Sequence, residues 1–253
     1  TLPTGLTSKT SKLLLPILDM MLKKSRQQQM LMISSQNVAK NLQNSLLSIE
    51  LQYFPCINAM VDAVDCSVVF FDHDQPFKRS SFRNRMILPG GNGLVSLTIP
   101  VVGGRAVKLP YKAVEIDYGS TWQRNHFRSL DTVYGNSPFY FQYRPSLLEI
   151  FDQKPQFLVN WNEICFDWIV KKMKINLQVR KQSNQFADNH EIRKRNDFYL
   201  PSNHDKKENQ PIFKYPQLFE DRIGFKPNVS ILDLLFNLGP GALRNFTSHT
   251  KPL

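Results

Sequence analysis

The sequence describes an α/β protein: a mixed, partly parallel sheet with helices packed around it and a helical C-terminal part. Three features carry that reading. Residues 46–51 and 68–71 are apolar runs of strand length, and the stretch between them, 56–64, has the pattern of a short helix, so strand, helix and strand form a parallel βαβ unit. Pro89-Gly90-Gly91-Asn92-Gly93 separates two further extended stretches, 84–88 and 96–101, as an antiparallel hairpin requires. Towards the other end, Ser230 stands three residues before Asp233 at the head of an apolar stripe, Ile231, Leu234, Leu235 and Leu238, and Gly239-Pro240-Gly241 stops the helix so marked.

The remaining elements follow from periodicity. A third extended piece, 113–117, precedes a helix over 121–134, whose Trp122, Phe127, Leu130 and Val133 or Tyr134 form one apolar face. A longer helix over 156–173 carries Phe157, Trp161, Ile164, Trp168 and Ile169 on one stripe and reads as core. Residues 1–45, rich in Ser, Thr, Lys, Gln and Asn, form a peripheral or separate segment. Residues 46–253 make a single domain, from which 181–210, without periodicity, is a long surface excursion.

A hydrophobic fraction of 42% over 253 residues is enough for a full core. The formal charge of +11 favours anionic partners. No aromatic-basic RNA motif or helix-turn-helix spacing points to nucleic acid, so none is expected as partner. Cys56, Cys66 and Cys165 stand apart in apolar surroundings, as buried thiols of a reducing compartment do. The apolar patch 13–18 is broken by Asp19 and Lys23-Lys24 with no cleavage pattern behind it, and no apolar run approaches the ~20 residues that span a bilayer. The expectation is a cytoplasmic protein that does not cross a membrane.

The chemistry concentrates after the second strand. Asp72-His73-Asp74 closes that strand and the basic cluster Lys78, Arg79, Arg83 and Arg85 follows, a pairing suited to a phosphorylated or nucleotide-linked sugar. Asp72 and Asp74 admit two readings: ligands of a divalent cation bridging diphosphate oxygens, as in metal-dependent glycosyltransferases, or a strand-end turn whose carboxylates bond the local backbone. No other cofactor is indicated. If 83–88 is a strand, Arg83 and Arg85 point the same way and need an anion between them. His126, four residues from Trp122 on one helical side, is a candidate proton acceptor, and Trp122 a candidate stacking surface or a core anchor. Arg222, ahead of the capped helix, could close over a ligand.

An ordered set of motifs then resembles a known family: Tyr53-Phe54-Pro55; Asp72 with Gln75 and Lys78-Arg79; Asn84-Arg85; Thr98-Ile99-Pro100-Val101; Trp122 with His126; Tyr134-Gly135; and the closing run from Phe225-Lys226-Pro227-Asn228 through Ser230 to Asn237. Over 46–240 the chain resembles the WbqC-like family, which is associated with bacterial surface-polysaccharide (O-antigen) gene clusters. The resemblance implies group transfer, aminoacyl or glycyl, to an amino sugar and a carboxylate at Asp72; read with the chemistry of the residues, Asp72 and His126 are the expected catalytic groups and Tyr53, Gln75, Lys78, Arg79, Arg83, Arg85, Trp122 and Arg222 the expected substrate contacts. A non-catalytic protein of the same pathway, binding a sugar nucleotide or a partner enzyme, is the alternative from another class.

Overall fold

The computed structural model describes residues 46–66, 68–104, 107–180, 192–194, 199–203 and 214–243. Strand β1 (Leu46–Ile49), helix α1 (Ile57–Val64) and strand β2 (Val68–Phe71) form the expected βαβ unit, with β1 and β2 parallel and Leu47 opposite Val69. Two short strands, β5 (Gln178–Arg180) and β6 (Ile192–Lys194), extend the sheet to the order β5-β2-β1-β6, every pair parallel. β6 lies within 181–210, so part of that predicted excursion is sheet; a three-residue strand is too short to leave a period in the sequence.

The hairpin consists of β3 (Arg85–Gly90) and β4 (Gly93–Thr98), and forms its own two-stranded sheet. The antiparallel part of the architecture is therefore separate from the parallel part. Its turn is tighter than expected: Gly90 pairs with Gly93 and Pro89 with Leu94, leaving Gly91 and Asn92 as the loop. Proline fits this position because a two-stranded ribbon is all edge and can spare an N–H. Residues 113–117 do not form a strand; Tyr111–Ala113 is one turn of 3-10 helix, followed by isolated bridges from Glu115 to Phe157 and from Ile116 to Val101.

Helix α2 (Trp122–Tyr134) buries Trp122, His126, Phe127, Leu130, Val133 and Tyr134, the apolar face read from the sequence with the histidine added. Helix α3 (Tyr140–Phe151) leaves a weaker trace, because Pro145 lies inside it and the segment opens on aromatic and polar residues without a capping side chain. Helix α4 (Leu158–Lys172) runs through the core with Trp161, Cys165 and Ile169 at no measurable exposure. The three cysteines are buried thiols. After a short α5 (Glu220–Ile223), helix α6 (Ile231–Leu238) is capped as expected, the Ser230 hydroxyl accepting from the Leu232 N–H at 3.3 Å. Among the described residues no helix is long and apolar enough to cross a membrane.

The C-terminal segment is sewn to the end of β1. Ser230 Oγ donates to the Phe54 carbonyl, its N–H to the Ile87 carbonyl, and Ile57 and Ile231 bond the carbonyls of Val229 and Pro55. Phe54, immediately before Pro55, has φ of +42° while only 1% exposed, so the seam holds a conformation that a free chain avoids. Ser230→Ala removes both the cap and the bond to Phe54. We expect it to cost about 1–2 kcal/mol, read as a lower urea midpoint with an unchanged slope.

Candidate functional site

The carboxyl ends of β1 and β2 lie side by side, the place where open parallel sheets take their ligands. Glu50 follows β1, Asp72 follows β2, and the loop between β2 and β3 brings Arg83 beside Glu50. Arg83 is 1% exposed: Nε lies 3.4 Å from Glu50 Oε2, Nη1 donates to the Pro76 carbonyl at 2.7 Å and Nη2 to Gln75 Oε1 at 3.2 Å. Gln75 passes the connection on, its Nε2 donating to Asp72 Oδ2 at 3.3 Å. A continuous polar line, Glu50–Arg83–Gln75–Asp72, thus crosses the end of the sheet. Beneath it the Arg83 guanidinium sits 5.4 Å from the Tyr111 ring centre, and Asn162 Nδ2 donates to the Tyr111 hydroxyl and the Arg83 carbonyl.

The other residues of interest fall into several places. Lys78 and Arg79 are exposed on the same β2–β3 connection. Arg83 precedes β3, so strand alternation does not align it with Arg85, which instead bonds Thr98 Oγ1 across the hairpin at 3.2 Å. Asp72 Oδ1 accepts from the Asp74 N–H at 3.1 Å, the hydrogen bond of an Asx turn, while Asp74 is turned outward to the exposed Lys112 ammonium. Among the described residues no group of three or more histidine, cysteine or carboxylate side chains is placed to hold a metal ion. Arg222 lies apart, reaching Asn92 Oδ1 at the hairpin tip at 3.3 Å.

Tyr53, Trp122 and His126 form an aromatic nest in the core. His126 is 5% exposed, its Nδ1 is 3.1 Å from the Tyr53 hydroxyl, and the edge of its ring meets Trp122, which in turn packs on Trp161. Burial pushes the imidazole down to about 4, against a backbone hydrogen bond at Thr98 that pulls the other way, and burial holds the Tyr53 hydroxyl protonated far above its ordinary range. A neutral phenol and a neutral ring thus share one buried hydrogen bond. An unperturbed histidine near pH 6.5 is what the sequence suggests; burial leaves this imidazole neutral and a weaker base.

Sequence reasoning missed Glu50, Tyr111 and Asn162. Glu50 follows an apolar strand as a solvated residue would, and its partner lies 33 positions on, so no local pattern joins them. A second buried acid, Asp233, has only the sequence signature of a helix-start residue. It accepts from Tyr215 at 2.6 Å and Gln217 at 2.9 Å, and burial raises it to about 6 despite those donors.

The model of the WbqC-like protein family matches residues 51–200, more than half of the chain. The chain belongs to this family. Neither a curated protein nor a solved structure matches it. The WbqC-like match takes in Tyr53, Asp72, Gln75, Arg83, Trp122 and His126, while Glu50, Arg222 and the closing helix lie beyond its bounds, a shorter span than the motifs over 46–240 imply.

Two outcomes test this geometry. Arg83→Leu removes the buried guanidinium beside Glu50 and costs about 3–5 kcal/mol, and Glu50→Leu/Arg83→Leu recovers part of that loss; urea denaturation of the two Leu singles and the double would show additive losses if the pair were not coupled. Because His126 binds its proton more weakly folded than unfolded, it contributes stability that is lost as pH falls from 6.5 towards about 4. His126→Phe therefore flattens the dependence of unfolding free energy on pH near 5 by up to about 1.4 kcal/mol per pH unit.

Proposed function

We propose that this WbqC-like protein transfers an acyl group, aminoacyl or glycyl, to a phosphorylated or nucleotide-linked amino sugar in surface-polysaccharide assembly. The observation that supports this reading best is the position of Asp72: half-buried at the end of β2, held by Gln75 and the Asp74 N–H, on the connection that also carries the exposed cations Lys78 and Arg79. Those cations suit the sugar's phosphate, by charge for Lys78 and by a forked pair of bonds for Arg79. Asp72 takes the proton as the sugar amine attacks the acyl carbonyl; the new C–N bond forms and the donor's leaving group departs. Arg83 acts by fixing Gln75 and hence Asp72, since its guanidinium is already committed inside. His126, neutral and covered, positions Tyr53 and the end of β1 rather than taking protons. The Asx turn at Asp72 and the outward Asp74 give the glycosyltransferase alternative less support, since the two carboxylates do not converge.

Mass spectrometry of an amino-sugar nucleotide incubated with acyl donors should show a mass gain. Asp72→Asn keeps an acceptor for the turn and should slow that turnover about 100-fold or more. Lys78→Ala/Arg79→Ala should raise KM with a smaller effect on kcat. Binding of the sugar nucleotide without any mass gain, by wild type and Asp72→Asn alike, would establish the non-catalytic alternative instead.

A further inference from the structure

Along α2 and the second half of α3 lies a cleft of about 680 Å³. Four of its side chains are cationic, Arg124, Arg128, Arg144 and Lys154, against two carboxylates, Asp131 and Asp152. Asp131 is already taken. Arg144 grips it through two bonds, Nε to Oδ1 at 2.6 Å and Nη2 to Oδ2 at 2.9 Å, and Tyr140 donates to Oδ1 at 2.8 Å, which holds this carboxyl below its ordinary range. The grip also fastens α3 to α2, with the Arg144 guanidinium over the Phe127 ring at 5.0 Å. The cleft is therefore framed by a fixed wall.

Arg124 and Arg128 stand one helical turn apart on the exposed side of α2, and Lys154 follows α3. None of the three has an ion pair or side-chain hydrogen bond among the described residues. Like charges at this spacing repel by a few tenths of a kcal/mol, and an anion between them turns that repulsion into binding. The start of α2 opens on the same cleft without an acidic residue in its first turn or a side-chain cap at Thr121. Tyr118 and the edges of Phe127 and Phe151 give the floor an apolar part, and the volume lies in the range of small-molecule sites.

From this arrangement we infer that the cleft binds the diphosphate group of an organic diphosphate ester, through Arg124, Arg128 and Lys154, with the ester's carbon skeleton on Tyr118. This site is separate from the one at the ends of β1 and β2 and shares no residue with it. A nucleoside diphosphate and an isoprenyl-linked diphosphate carry the same group, and the carbon skeleton tells them apart.

The test is calorimetric titration of the full chain with inorganic pyrophosphate, uridine diphosphate and a short isoprenyl diphosphate. Expected are binding of pyrophosphate and of one of the two esters, affinity falling as salt rises, and a loss of tenfold or more in Arg124→Glu/Arg128→Glu against less than twofold change in the equally charged control Lys108→Glu/Lys171→Glu. Amide exchange on the wild type should slow at residues 122–128 when the ester is added, which gives a readout independent of any variant. Absence of binding, pyrophosphate binding with neither ester, or affinity lost only in Lys78→Glu/Arg79→Glu overturns the cleft. The last of these leaves the site at the sheet end standing, whereas an intact titration with no acyl transfer leaves the cleft standing and removes the transferase reading.

Discussion

A guanidinium withdrawn from water costs several kcal/mol, even after its surroundings relax, unless charge and hydrogen bonds replace its hydration. Arg83 meets that condition from three directions: Glu50 at the end of β1, the Pro76 carbonyl and Gln75 on the connection after β2, and the Tyr111 ring below. Each partner belongs to a different stretch of chain. The geometry of the sheet's carboxyl end is consequently a condition of stability, and Asp72 inherits a fixed position by way of Gln75. Asn162 extends the same requirement into α4, since its amide bonds the carbonyls of Leu51 and Arg83 and the Tyr111 hydroxyl.

Much of the scaffold was legible in the sequence because its signals are local. β1, α1, β2, the hairpin, α2, α4 and the capped α6 each carry a period, a turn or a cap within a dozen residues. α3 hid behind Pro145, and β5 and β6 are three residues each. The site was legible in part. Asp72 and Gln75 do belong to one network with Arg83, but the basic cluster read as a single anion cradle is divided between a buried structural arginine, an exposed loop and the hairpin. One-dimensional spacing tells which side chains are near in chain, and the sorting of charges into buried and solvated depends on partners such as Glu50 that spacing cannot supply. The predicted segment 1–45 lies outside the described residues.

Two buried titrating groups act on stability in opposite senses. The imidazole of His126 resists protonation, whereas the carboxyl of Asp233 resists losing its proton, so acidification over roughly the same range weakens one region and relieves the other. Asp233 is tied to Tyr215 and Gln217, which fastens the segment before α5 to α6. Gln217 completes the tie by accepting from the Lys226 N–H and donating to the Lys226 carbonyl.

The bond from Ser230 to the Phe54 carbonyl joins groups 176 positions apart. A ribosome delivering this chain in order therefore releases β1, α1 and β2 long before the strand of backbone that closes them. Until residues 228–231 emerge, the left-handed turn at Phe54 has no lock, and the apolar ends of the first two strands need shelter from their neighbours. Closure across so long a separation is slow, and it leaves those apolar ends open to aggregation until the distant segment has been made.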